Sequence, residues 1–136
     1  MKFKTIFGAT RSVKSPKKYL IDWEGQSKSN IQYKTKVFLK KFWDKNVVFE
    51  EFPVVGTRLS IDFFNASKKI AIEVQGEQHV RYTPFFHGKH KSNYIDQLKR
   101  DKEKLDFCKI NDIKLVEVYY NDEINLNLFK KQGVIL

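Results

Sequence analysis

Residues 58–79 read RLSIDFFNASKKIAIEVQGEQH. Two alternating runs flank a turn. In the first, Leu59, Ile61 and Phe63 take one face and Ser60, Asp62 and Phe64 the other. In the second, Ile70, Ile72 and Val74 oppose Ala71, Glu73 and Gln75. NASK between them is turn material, because Asn and Ser side chains bond to their own local backbone. The pattern predicts an antiparallel hairpin. With Asn65 facing Ile70, Asp62 falls across from Glu73, with Cβ atoms only ~5 Å apart.

Two carboxylates that close repel unless a proton or a cation lies between them. Mg²⁺ or Mn²⁺ meets that need, since hard cations take carboxylate and carbonyl oxygens. Gln75 leaves the same face as Glu73 and can hold a water or contribute an oxygen. A solvated sheet face with an acid pair accounts for the same letters, but Phe64 and Ala71 share that face. His79, just past the strand, is a candidate for proton transfer or for a metal-bound water. A packed or surface histidine is the plain alternative. His87 and His90 are spaced loosely for zinc and have no cysteine to help them.

Outward from the hairpin, NVVFEEF adds a strand before it, giving a three-stranded meander. SKSN offers caps for a helix over 31–43, where Ile31, Phe38 and Phe42 recur at helical spacing beside Leu39 and Trp43. That helix carries Lys34, Lys36, Lys40 and Lys41 and no acid, a face suited to solvent or to phosphates. Residues 1–19 are basic, the first acid being Asp22, and read as a phosphate-tracking arm or a lead-in strand. After the hairpin, the loop GEQHVRYTPFFHGKHK is aromatic and basic and faces substrate in this reading, with Arg81, Lys89 and Lys91 as DNA contacts. A helix over 93–109, the strand IKLVEVYY and a short helix in INLNLFKK complete the order. The expected fold is one mixed α/β domain over 1–136, its core over 46–120, with a four-stranded sheet, flanking helices and a helical crossover to the last strand.

Within the second long helix, Tyr94, Leu98, Asp101, Leu105 and Cys108 recur on one stripe. Asp101 on an apolar stripe needs a partner. His79 or a basic residue near the metal serves, as does a salt bridge that only fixes the helix. Arg100 flanks the stripe, directed at phosphate or at another acid.

The 136 residues are 41% hydrophobic and carry a net charge of +10, which favours a polyanionic partner. Cys108 is the single cysteine, so a disulfide framework or a cysteine zinc site within the chain is excluded. No run approaches the ~20 apolar residues of a membrane span, and the start lacks a signal-peptide core. The expectation is a soluble, reducing, cytoplasmic setting with no membrane partner.

RLSIDFFNASKKIAIEVQGEQH followed by LKRDKEKLDFCKINDIKLVEVYY (98–120) resembles the PD-(D/E)XK nuclease superfamily, especially small phage-encoded, Vsr-like and homing endonucleases. The resemblance covers residues 46–120 and rests on order and spacing: a strand Asp, a hairpin, a strand Glu, a Gly-x-x-His end and an Arg-Asp helix. It implies a restriction-endonuclease-like fold. It also implies a metal-dependent DNA endonuclease of phage homing type, acting on double-stranded DNA in the host-cell cytoplasm. Asp62 and Glu73 would bind Mg²⁺ or Mn²⁺, and Gln75 stands where the catalytic lysine usually is. His79 and Asp101 would match a histidine and an aspartate of related homing enzymes. The acid many members place on the first helix is replaced by Lys36, with Gln32 and Lys34 nearby; Glu24 supplies it or it is absent. A structure-selective nuclease such as a junction resolvase shares this chemistry. A non-catalytic DNA-binding protein on a degenerate nuclease fold is the reading from another class, and a protein whose charge has no nucleic-acid meaning is a third. One active centre implies a homodimer, or two successive nicks, for double-strand cleavage.

Overall fold

The computed structural model describes residues 1–76 and 91–136, with side chains in the second segment from Tyr94 onward. The hairpin forms as its alternation predicts. Strands β4 (Ser60–Asn65) and β5 (Ile70–Gln75) pair antiparallel, with Asn65 opposite Ile70, Phe64 opposite Ala71 and Phe63 opposite Ile72. The turn is closed by Asn65 Oδ1, which accepts the Lys68 N–H at 3.0 Å. Strand β3 (Val48–Pro53) lies antiparallel on the other side of β4.

Ahead of β3 come a small hairpin of β1 (Lys2–Lys4) and β2 (Thr10–Ser12), a 3-10 turn over Pro16–Tyr19, and helix α1 (Asn30–Trp43). Ser29 caps α1, its hydroxyl accepting the Gln32 N–H at 3.2 Å. Helix α2 (Lys91–Ile110) precedes β6 (Lys114–Tyr119), which pairs parallel with β5 from Ile70–Lys114 to Gln75–Tyr119. Helix α3 (Leu126–Lys131) follows. The result is one α/β domain whose mixed four-stranded sheet, in the order β3-β4-β5-β6, is flanked by helices. No helix among the described residues is long and apolar enough to cross a membrane.

Each sheet face has its own core. Phe63, Ile70, Ile72, Val116 and Val118 pack with Leu39 and Trp43 of α1 and Phe129 of α3. On the opposite face Phe49, Phe52, Phe64 and Ala71 pack with Phe107 and Cys108 of α2. Phe3 of β1 joins this second cluster, its ring 5.7 Å from that of Phe52. Residues 2–12 thus form a docked hairpin, and Asn111 fixes it by bonding both the N–H and the carbonyl of Lys4.

Two helix faces differ from the periodic reading. The buried residues of α1 are Gln32, Thr35, Lys36, Leu39 and Trp43, whereas Phe42 is exposed. Buried Gln97, Phe107 and Cys108 mark the inner side of α2, while Leu98 and Leu105 are exposed and Asp101 is half-buried. In both helices long polar side chains occupy inward positions because charged partners await them, and hydrophobic periodicity does not register such positions.

Strand β3 contains one further irregularity. Glu51 has φ 54°, the left-handed region, inside a strand. Phe49 and Phe52 therefore reach the same core, their rings 4.8 Å apart, although they are three positions apart. The same kink turns Glu51 toward β4.

Candidate active site

The β4–β5 ladder stops at Phe63 and Ile72, yet β4 runs back to Ser60 and β5 on to Gln75. Asp62 and Glu73 fill the divergence. Asp62 donates its backbone N–H to Glu73 Oε1 at 3.0 Å, and Asp62 Oδ2 accepts the Val74 N–H at 2.8 Å. Both carboxylates are buried, 3% and 5% exposed. The expected juxtaposition is therefore present, and the two side chains also replace backbone bonds that the separating strands no longer make.

The outward oxygens meet lysines from two other elements. Lys28 Nζ, from the segment before α1, lies 3.2 Å from Asp62 Oδ1. Lys104 Nζ, from α2, lies 2.9 Å from Glu73 Oε2. Burial, reinforced by the charge of Asp62, pushes the Glu73 carboxyl up to about 7 against the pull of Lys104. Burial also raises Asp62, against the pull of Lys28. At Lys28, burial favours the neutral amine, and the charges of Asp62 and Glu51 more than reverse it, so the ammonium is held above its ordinary value.

Gln75 is buried on the same sheet face as Glu73, and its Oε1 has no hydrogen-bond partner among the described residues. A buried orphan acceptor beside two carboxylates fits a hard cation or one of its waters. The remaining ligands would come from outside this set, since no group of three or more His, Cys, Asp or Glu side chains among the described residues is placed to hold a metal. Beside Gln75 in register, the Tyr119 hydroxyl bonds the Glu117 carboxylate, which with burial pushes it up to about 12. Asp101 is near enough for its charge to contribute to that shift.

The other predicted residues separate into three groups. Lys34 and Arg100 are exposed, and Lys34 lines a cavity of about 360 Å³ with Ile31, Val37, Lys41 and Tyr120. Lys40 is at the surface, paired with Glu24. Lys36 is a correction. It is fully buried, its Nζ donating to the carbonyls of Asp22, Gly25 and Gln26 and pairing with Glu50 Oε1 at 2.8 Å. An ammonium enclosed by three carbonyls and a carboxylate has no donor left for DNA. Glu24 is likewise directed to Lys40 at the surface, and Glu51 takes the position beside Asp62. His79, Arg81 and Lys89 lie outside the described residues, as does the Lys91 side chain.

The chain was compared with known proteins. No family model and no solved structure matches it. Three viral proteins do. It is 34% identical to uncharacterized protein 033L of Invertebrate iridescent virus 3 over 73 residues, covering 54% of this chain and 37% of the relative. It is 40% identical to uncharacterized protein 094L of Frog virus 3 (isolate Goorha) over 68 residues, 50% and 44% respectively. It is 37% identical to uncharacterized protein 307L of Invertebrate iridescent virus 6 over 62 residues, 46% and 31%. The chain thus spans less than half the length of these curated relatives.

Lys28, Glu51 and Lys104 escape a sequence reading. Lys104 lies three positions after Asp101, on the inward side of α2, but a lysine in a charged helix reads as surface. The adjacent acids Glu50 and Glu51 do leave a trace. In a regular strand they would point to opposite faces, which is at odds with a strand buried on both.

Proposed function

We propose that the chain is a metal-dependent endodeoxyribonuclease of the PD-(D/E)XK type, with a restriction-endonuclease-like fold and Asp62 and Glu73 as its metal ligands. The observation that carries this reading is the buried carboxylate pair at the divergence of β4 and β5, with Lys104 on Glu73. The order of helix, antiparallel meander, crossover helix and parallel strand supports the fold assignment. The uncharacterized iridovirus relatives support no more than a viral context; the homing-type activity is part of the proposal.

Mg²⁺ or Mn²⁺ on Asp62 and Glu73 would supply a water of lowered pKa and neutralise charge on the phosphodiester. The chain's own residues do the rest. Lys104 enters the site from α2 and takes the role that a lysine at position 75 would have, holding the attacking oxygen or the scissile phosphate. Gln75 Oε1 accepts a hydrogen bond from the attacking water and fixes its direction. His79 and Asp101 are the proposed proton-transfer pair. Lys34, Lys40 and Arg100, with Arg81, Lys89 and Lys91 of the neighbouring segment, bind the backbone of double-stranded DNA through phosphate charge.

The test is nicking of supercoiled plasmid with Mg²⁺ and with EDTA. Wild-type protein nicks only with the metal, and Asp62→Ala lowers the rate by ~10²-fold or more. Absence of metal-dependent nicking, or equal nicking by the variant, defeats the proposal. One observation favours a second reading: both outward carboxylate oxygens are already neutralised by lysines. Salt-sensitive DNA binding without cleavage would establish this non-catalytic DNA-binding protein instead.

A further inference from the structure

Three lysines converge on this end of the sheet, and they are held very differently. The Lys36 side chain is fully buried, and that of Lys104 is 17% exposed and carried on a helix. The Lys28 side chain is 62% exposed and reaches in from the segment before α1. Its Nζ lies 3.2 Å from Asp62 Oδ1 and 3.4 Å from Glu51 Oε1. Lys28 therefore bridges two carboxylates on neighbouring strands while most of its side chain remains in water.

Glu51 is placed for this contact by its backbone. Four non-glycine residues among those described have positive φ: Ser15, Glu51, Lys69 and Asp112. Ser15, Lys69 and Asp112 sit at turns or helix ends, and Glu51 alone lies inside a strand. A strained conformation persists only where surrounding contacts impose it. Gln32 Nε2 and Ser60 Oγ bond the Glu51 carboxylate at 3.0 and 3.1 Å and hold it beside Asp62.

We propose that Lys28 is a displaceable counter-cation, holding between Asp62 and Glu51 a place that a divalent ion takes when it binds. The proposal rests on the metal reading of the Asp62–Glu73 pair; no three acids among the described residues are grouped to hold an ion while Lys28 is in place, so Glu51 joins the pair only as Lys28 leaves. Lys28 suits the role because its ammonium can swing into water without crossing the core. Its departure alone would strand the charge of buried Asp62, so departure and ion entry are coupled. The released ammonium then stands at the rim of the site, free for a phosphate of the bound strand.

Mn²⁺ titration calorimetry on the full chain at pH 8 tests the exchange. Lys28→Met binds Mn²⁺ roughly threefold to tenfold more tightly than wild type, because an internal competitor is gone. Lys45→Met, the same charge change at an exposed and remote lysine, stays within about twofold. In wild-type protein, mass spectrometry after brief acetylation shows Lys28 modified several times faster once Mn²⁺ is added, and Lys45 unchanged. Equal or weaker Mn²⁺ binding by Lys28→Met overturns the proposal, and so does acetylation of Lys28 that ignores the ion. In that event, wild-type binding that Asp62→Asn abolishes leaves the nuclease reading standing. Binding by Lys28→Met but not by wild type supports the exchange; binding by neither removes both readings.

Discussion

Asp62 gives its backbone N–H to the carboxylate of Glu73 at 3.0 Å, so the two acids are linked directly, while each meets a lysine of its own, Lys28 at Asp62 and Lys104 at Glu73. Each does part of the work of a β-ladder that has come apart. The site is thus a structural seam between β4 and β5, and changes there should register in stability as well as in chemistry.

The first consequence concerns pH. Folding raises the Glu73 carboxyl from 4.5 to about 7, so the folded chain binds this proton more tightly than the unfolded chain does. The stabilisation from Glu73 protonation is full below the ordinary carboxylate value. It is lost as pH rises toward about 7 and changes no further above it. In EDTA, wild-type protein should lose on the order of 1–3 kcal/mol relative to Glu73→Gln between pH 4.5 and 8. Urea denaturation of both proteins at the two pH values measures the difference. A difference that does not change with pH would show that Glu73 titrates normally.

A divalent ion requires the ionised carboxylate. Below about 7 it competes with the Glu73 proton, and above that value it does not. Apparent Mn²⁺ affinity should fall roughly tenfold per pH unit on the acid side and level off on the basic side. The Mn²⁺-induced rise in Tm at pH 6 and pH 8 reports the same trend. An equal rise at both would place the ion elsewhere.

Lys104→Met should separate binding from catalysis. Removing the ammonium 2.9 Å from Glu73 drives this carboxyl further up, so near pH 7 it takes a proton and the cost in metal-free protein is about 1–2 kcal/mol, growing toward pH 8. Mn²⁺ binding persists, while plasmid nicking falls by ~10²-fold, and Lys104→Arg recovers part of it. Full nicking by Lys104→Met would limit this residue to a structural ion pair.

Lys36 and Lys34 are two positions apart on α1 and should behave oppositely. Lys36→Met leaves three loop carbonyls without this donor and Glu50 with Ser27 and Gln32 but no cation, and should destabilise by about 3–5 kcal/mol, with DNA affinity unchanged in the folded fraction. Lys34→Ala should leave Tm within about 1 °C and lower the slope of log affinity against log salt by about one. Circular dichroism melts and fluorescence anisotropy with duplex DNA distinguish the two outcomes.

Alternation along β4 and β5, Asn65 at the turn and the spacing of the acids are local properties. They are enough to determine the hairpin, its register and the meeting of Asp62 with Glu73, but not the small hairpin that residues 2–12 form. What surrounds that pair is different in kind. Lys104 comes from a helix 31 residues beyond Glu73, and Lys28 from a segment 34 residues before Asp62. Lys36 reads as a surface residue on α1 until Glu50 and three loop carbonyls enclose its ammonium. A long polar side chain has the same hydropathy whether it ends in water or on a buried carboxylate. Only the tertiary structure, which brings distant opposite charges within 3 Å or so, decides between those environments.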